Sequence, residues 1–337
     1  MSGLPPARYV EAATIVGRWR RVLLFSHAKP DGDALGSLIA MRRLLLAADI
    51  EANPVIFDPV PDRYTFLTEK QPLRRLGFDF ELRALDNVDG AILLDTCALN
   101  QLEPIAEWLK SSPVEVLAVD HHVSRDDIAD HRLIDETAAA TCLILFDWAR
   151  RSGWPIDAHT AEALFVGIAT DTGWFRHSNT DRRVHEAAGE LIARGGRPTE
   201  IYDRLYMHES EARFRLRAAL SSGIELAAGK RLAILTLPRA LLQSVGAKLS
   251  DTEDLVNEPL RIAGVDVSIM LVEQEGGVIR VGLRSRAPEA SAIRDIDVAA
   301  IAAESGGGGH RRAAGARVLG TIESVRARLV ERIEREL

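Results

Sequence analysis

The sequence predicts an α/β protein, in which a parallel sheet with helices on both faces is joined by a helical connector to a second, smaller α/β domain. Three observations predict it. Short, almost uninterrupted apolar runs at residues 22–25, 91–94 and 114–119 alternate with helix-period segments, as expected of strands buried on both faces. Each run stops within two residues of an aspartate or a histidine. Past Gly229 the pattern changes to short alternating strands, and 337 residues are enough for two cores.

In chain order, residues 21–27 read as a strand and 34–48 as a helix whose wide apolar stripe includes Leu35, Leu38, Ile39 and Leu45. A second short strand at 55–57 lies among Pro54, Pro59 and Pro61, which punctuate the region, and 62–88 is too mixed to assign. The third strand, 91–94, ends at Asp95. A helix near 105–109 leads through Ser111-Ser112-Pro113 to a fourth strand, 114–119, which stops at Asp120-His121-His122. Leu133-Ile134 adds a short strand. Helices follow at 139–151, 158–169 and 182–194, the second ending at Thr170-Asp171-Thr172-Gly173 and the third at Gly195-Gly196, a normal helix stop. The expected organisation is a sheet domain at 1–195, a helical connector rich in Arg, Glu, Leu and Ala at 196–228, and a second domain at 229–337 with strands at 232–237, 265–272 and 278–283.

Composition narrows the function. Hydrophobic residues at 47% and charged residues at 27% are those of an ordinary globular chain. No window approaches the roughly 20 apolar residues of a bilayer span, and the first residues lack the order of a signal peptide, so the cytoplasm is the default and no membrane partner is expected. Cys97 and Cys142, both in apolar surroundings, read as core residues in a reducing compartment. A net charge of -7 disfavours binding to long duplex nucleic acid, yet a few local arginines and metal ions can hold a short anionic substrate. Aromatics at 5%, without basic residues interleaved, argue against a long single-strand groove.

The chemistry-bearing residues lie at element ends. His27-x-x-x-Asp31-x-Asp33 follows the first strand, Asp95 the third and His121 the fourth, while Asp171 closes a helix. Ligands of open parallel sheets bind beyond the carboxyl ends of the strands, so these residues are expected to converge. Such hard N/O donors suit a divalent cation of the Mn or Mg kind. Singly, an aspartate after a strand is more often a turn former or helix cap, and His-His pairs are common on surfaces. The coincidence of so many is what points to a metal site. In the second domain, Gly306-Gly307-Gly308-Gly309 could be a linker, but flanked by His310 and Ala313-Ala314-Gly315 it reads as a backbone nest for an anion. No Gly-Lys-Ser/Thr follows, which excludes a triphosphate P-loop. Arg280, Arg284 and Arg286 fall on one face of a strand, where arginine rows are usually solvated surface.

Taken in order, His27-x-x-x-Asp31-x-Asp33, Asp95, Asp120-His121-His122 and Asp171-Thr172-Gly173 resemble the successive motifs of the DHH phosphoesterase superfamily. Gly306-Gly307-Gly308-Gly309-His310-x-x-Ala313-Ala314-Gly315 resembles the signature of its DHHA1 domain. The resemblance covers nearly the whole chain. In length and layout it is nearest to the nanoRNase group, oligoribonucleases that also act as 3′-phosphoadenosine 5′-phosphate phosphatases. It implies a DHH catalytic domain and a DHHA1 substrate domain with the active-site cleft between them. It also implies two Mn ions, with Mg or Co as alternatives, one held by His27, Asp31 and Asp95 and the other by Asp33, Asp95, His121 and Asp171. In-line phosphoester hydrolysis by a metal-activated water needs no side-chain nucleophile.

By the same resemblance His122 contacts the phosphate and assists the leaving group. Asp120 is expected behind the metals, orienting a metal-bound imidazole, with a purely structural role as its alternative. Arg284 is expected to grip a terminal phosphate, Arg176 to lie near the metals, and Gly307, Gly308, Gly309 and His310 to contact substrate. The expected activity is Mn-dependent degradation of short oligonucleotides to mononucleotides, together with nucleotide phosphatase activity. A cyclic or linear dinucleotide phosphodiesterase and a non-catalytic nucleotide sensor are the competing readings, and a homodimer is compatible with all three.

Overall fold

The computed structural model describes residues 3–69, 71–81, 87–123, 125–287 and 295–337. They form two compact units, Met1–His208 and Glu209–Leu337.

In the first unit, α1 (Pro6–Val16) precedes β1 (Arg21–Phe25), α2 (Gly32–Leu46), β2 (Glu51–Ile56), α3 (Thr65–Thr68), β3 (Arg74–Arg75) and β4 (Gly90–Leu94). Then come α4 (Ala106–Ser111), β5 (Glu115–Asp120), β6 (His131–Ile134), α5 (Thr141–Ser152), α6 (Ala158–Asp171), α7 (Arg182–Ala193) and α8 (Pro198–Tyr206). The strands are all parallel, in the order β3-β2-β1-β4-β5-β6. Strand order therefore reverses between β1 and β4, where an open α/β sheet leaves a crevice at its carboxyl edge. Alternation explains the apolar runs. Val22, Leu24, Ile92, Leu94, Leu117 and Val119 enter the large core with α1, α2, α5, α6 and α7, while Leu23, Phe25, Ala91, Leu93, Val116 and Ala118 enter a smaller core on the other face.

Two local features depart from the sequence expectation. Pro54 lies inside β2, opposite Leu24, and does not end it; β3 pairs with β2 only at Val55 and Ile56, so no described strand needs a donor from Pro54 on that side. The stretch 196–228, expected as a connector, is divided between the units. Ile201 and Leu205 of α8 are buried in the first core, whereas Leu216 and Leu220 of α9 (Glu211–Ser222) are buried in a core of the second.

The second unit continues with β7 (Glu225–Ala227), β8 (Leu232–Leu237), α10 (Arg239–Ser244), β9 (Val267–Glu273) and β10 (Val278–Ser285). It ends with α11 (Val298–Ala303), β11 (Gly308–His310), β12 (Ala313–Leu319) and α12 (Ile322–Glu334). Its sheet, ordered β11-β12-β10-β9-β8-β7, is parallel only between β8 and β9. One face packs on α11 and α12, and the other is covered in part by α9 and the segment Leu255–Arg261. No described helix is long and apolar enough to cross a membrane.

Candidate metal centre

Each donor of the first unit is fixed by the element that carries it. Asp31 caps α2, its Oδ1 accepting from the amides of Asp33 and Ala34 at 3.0 and 3.1 Å. Asp33 is fully buried, and its carboxylate accepts from the amides of Thr141 and Cys142 at 2.6 and 2.9 Å. Those are the first two residues of α5, whose own cap residue, Ala140, has no side chain for the task. Asp33 thus caps one helix from within another. Gly167 of α6 makes room for this, because a Cβ there would lie 2.6 Å from Asp33 Oδ1 and 2.3 Å from Cys142 Sγ. Asp95, just past β4, has φ of 62°, a left-handed conformation that costs a residue other than glycine about 1 kcal/mol or more. Its amide donates to Val119 O at 3.0 Å, and Thr141 Oγ1 donates to its Oδ1 at 3.0 Å.

The donors converge. His27 Nε2 lies 3.5 Å from Asp95 Oδ2 and 3.7 Å from Asp31 Oδ1. His121 Nε2 lies 3.4 Å from Asp95 Oδ1, 3.2 Å from Asp171 Oδ2 and 4.0 Å from Asp33 Oδ2. Asp95 therefore presents one oxygen to each of two donor sets, His27/Asp31/Asp95 and Asp33/His121/Asp171, each gathered within 4.8 Å. A third set, Asp95/His121/His122, overlaps the second. The ring nitrogens Nδ1 of His27 and His121 lie 2.8 and 3.2 Å from the carbonyls of Ala28 and Ala138, which orients Nε2 toward the carboxylates. His121 Nε2 is buried and has no hydrogen-bond partner among the described residues. A buried nitrogen that makes no hydrogen bond although carboxylates surround it fits a metal ion.

The electrostatics agree. Burial would lower the pKa of His27, yet Asp31 and Asp95 push it up to about 11. Against the same penalty, Asp171 and Asp95 push His121 up to about 12. Burial raises Asp33 well above the carboxylate range, and the charges of Asp95 and Asp171 add to this. Asp95 is held well below that range, since His121 and His27 outweigh its burial. A buried cluster that recruits protons to balance its carboxylates is one in which divalent cations can replace those protons.

Beside this cluster, Asp120 differs from expectation. Its Oδ1 accepts from the amides of His121 and His122 at 2.7 and 3.1 Å and lies 2.8 Å from His122 Nδ1. The ring it orients is therefore that of His122, not of His121, which turns its Nδ1 to Ala138. Asp120 raises the pKa of His122 against the effect of burial. Thr141, which sequence reasoning missed, contacts both Asp33 and Asp95. Its only signal was a threonine at the start of a helix, and its partners are 108 and 46 residues away.

The expected substrate residues are placed as follows. Arg176 is exposed in the turn after α6, its Nε donating to Gly173 O at 2.8 Å. Arg284 is half-buried on β10, and burial lowers its pKa. Arg286 shares its face but serves the fold, with Nε 2.9 Å from Val265 O and Nη2 on the carbonyls of Leu260 and Ile262. His310 is exposed on β11. The glycine run is not a free nest. The amides of Gly306 and Gly307 donate to Ala303 and Ala302 at 3.0 Å each, ending α11, and Gly308 and Gly309 belong to β11. Small residues are required there, because a Cβ on Gly307 would lie 2.2 Å from Gly315 O and one on Gly309 2.5 Å from Ala313 O.

An open parallel sheet with carboxylates and imidazoles gathered where its strand order reverses, followed by a smaller mixed-sheet domain, defines a metal-dependent phosphoesterase. Residues 21–168 match the DHH family, N-terminal domain, and residues 237–337 match the DHHA1 domain. The chain is 30% identical over 348 residues to the bifunctional oligoribonuclease and PAP phosphatase NrnA of Thermus thermophilus, a match covering 99% of this chain and 97% of that one. Identity to the protein of the same name from Bacillus subtilis is 25%, over 94% and 95% of the two chains. Among solved structures, an exopolyphosphatase-related protein from Bacteroides fragilis superposes with a TM-score of 0.90 at 25% identity, covering 99% of this chain and 98% of that chain. The chain belongs to the DHH family and carries a DHHA1 domain.

Proposed function

We infer that the protein hydrolyses short oligonucleotides to mononucleotides and removes a phosphate from 3′-phosphoadenosine 5′-phosphate, with two divalent cations, manganese foremost. The observation that carries this reading is the pair of donor sets on either side of Asp95, whose two oxygens face His27 of one and His121 of the other, in a chain matched nearly end to end by relatives named for those two activities. In it, His27, Asp31 and Asp95 would hold one ion, and Asp33, Asp95, His121 and Asp171 the other. When bound, the ions supply an activated water and charge for the phosphoryl oxygens.

The remaining steps belong to side chains. Asp120 fixes Nδ1 of His122 and favours its protonated form, so Nε2 can donate to a phosphate oxygen and deliver a proton to the leaving oxygen. Arg176, Arg284 and His310 bind the substrate's phosphates, Arg284 gripping a terminal one, while the glycines of 307–309 let β11 pack closely on β12. The substrate is short, and the place of action is the cytoplasm, in keeping with two buried free thiols.

Incubating the purified chain with Mn and a labelled dinucleotide should release mononucleotides. No turnover with Mn, Mg or Co would overturn the reading, and a clear preference for a cyclic dinucleotide would replace the substrate class.

A further inference from the structure

Ladder hydrogen bonds fix the strands of the first sheet, but the donors lie past the ends of the ladders. β1, β4 and β5 are neighbours with β4 in the middle, and His27, Asp95 and His121 follow just beyond their last residues. Their spacing is therefore set by whatever ties the three loops together. His27 Nε2 and His121 Nε2 stand 3.5 and 3.4 Å from the two oxygens of Asp95, so displacing either loop by about 1 Å would spoil the arrangement.

The loop after β4 carries the ties. It runs from Asp95 into the short turn Leu99–Gln101, and Leu102 and Ile105 beyond it are fully buried in the smaller core. On the β1 side, the amide of Ala28, next to His27, donates to Gln101 O at 3.0 Å. The Gln101 side chain folds back, its Oε1 accepting from Oγ1 of Thr96 at 2.8 Å, and Thr96, which follows Asp95, is buried. On the β5 side, Asp126 Oδ2 accepts from the amide of Leu99 at 2.7 Å, and the Asp126 amide donates to Cys97 O at 2.7 Å. Ala98, the residue before the turn, has no side chain that could serve its first amide. The cap comes from the neighbouring loop instead, as the cap of α5 comes from Asp33. Asp126 and Gln101 are both exposed and, among the described residues, belong to no donor set, so neither fills a core or faces the carboxylate cluster.

We propose that Asp126 and Gln101 are positioning residues of the metal centre: through the turn Leu99–Gln101 they hold the loops of His27 and His121 in register with Asp95. The inference rests on the two-cation reading of the site. Neither residue touches a cation or the substrate in it. An exposed cap ordinarily serves only its own turn, whereas this one joins two loops that each carry donors. Asp126 governs the His121 side and Gln101 the His27 side, and loss of either tie leaves the strands and both cores in place while one histidine drifts from Asp95.

The test uses the full chain, with amide hydrogen exchange followed by NMR in EDTA and Mn binding followed by titration calorimetry. Asp126→Ala should speed exchange of the Leu99 amide and weaken Mn binding, each about tenfold, while Asp126→Asn, which keeps an acceptor oxygen without the charge, should stay within about twofold of the parent in both. Gln101→Met, which keeps the length but not the acceptor, should speed exchange of the Ala28 amide and weaken Mn binding in the same way. Because both positions are exposed, all three variants should unfold as cooperatively as the parent. Parent-like Mn affinity in Asp126→Ala, whatever its exchange, would overturn the proposal. So would equal losses in Asp126→Ala and Asp126→Asn, which would assign the effect to charge. Weaker Mn binding by Asp126→Ala in a chain that hydrolyses no nucleotide would instead overturn the hydrolytic reading and leave the positioning role standing, and a parent chain that binds no Mn would overturn both.

Discussion

Asp95 is held in an unfavourable backbone conformation at the place where its two oxygens face two different histidines, a cost retained for what the carboxylate does there. Asp95→Ala should abolish turnover at saturating Mn, with a loss of at least about a thousandfold, and should also lower the melting temperature of the metal-free protein, since the protonated His27 and His121 lose the carboxylate between them. Thr141→Val should leave the fold intact but lower Mn affinity about 10- to 100-fold, because the hydroxyl that orients Asp95 Oδ1 is lost; Thr141→Ser should recover it. Titration calorimetry with Mn distinguishes the variants, and equal affinity in Thr141→Val would show that the hydroxyl orients nothing. Cations must displace the protons that His27 and His121 hold in the metal-free protein, whose pKa values are pushed up to about 11 and 12. Binding should therefore release protons, and Mn affinity should fall as pH falls, by up to about tenfold per pH unit for each proton released. An affinity independent of pH from 6 to 9 would contradict this. At this scale the candidate donors are legible in the sequence because His27, Asp95 and His121 follow apolar runs, Asp31 and Asp33 open the next helix, and Asp171 closes another. Thr141 and the true partner of Asp120 are not, because their roles arise from contacts that only the folded chain creates.

At the scale of elements, the centre is built from helix ends that are locked together. Arg183 of α7 reaches both Asp135, after β6, and Asp147 of α5, at 2.7 Å each. Asp135 is buried, and although burial raises its pKa, Thr137 and Arg183 hold it below the usual value. A depressed carboxylate contributes stability that is present above its unfolded pKa of about 3.9 and is lost as pH falls through the folded value. Arg183→Met should destabilise the protein by about 3 kcal/mol near neutral pH, with the difference from the parent shrinking below about pH 4. Denaturant melts across this range would show it, and a difference constant with pH would mean that packing, not charge, is what Arg183 supplies. The strands β1, β4 and β5 are legible from their apolar runs. By contrast β12 is hidden, since Ala313-Ala314-Gly315-Ala316 lacks side chains large enough to display alternation, and β11 is glycine-rich because its backbone approaches β12 too closely for a Cβ. Pro54 suggests an interruption that the pairing of β2 does not contain.

For the whole molecule, the division into two units follows the change of pattern in the sequence. The place of that division, between α8 and α9, does not, because both helices share one composition and only their buried faces differ. The reversal of strand order between β1 and β4 is what gathers donors spread from His27 to Asp171 into one centre, and sequence shows the donors but not the strand order. The proposed function requires that two cations share Asp95 and that hydrolysis depends on them. The most direct test is to measure bound Mn per chain by equilibrium dialysis and dinucleotide hydrolysis on the same samples of the parent and of Asp95→Asn. Two ions and turnover are expected in the parent, and fewer than two ions with no turnover in the variant; two ions and full turnover in Asp95→Asn would overturn the shared carboxylate.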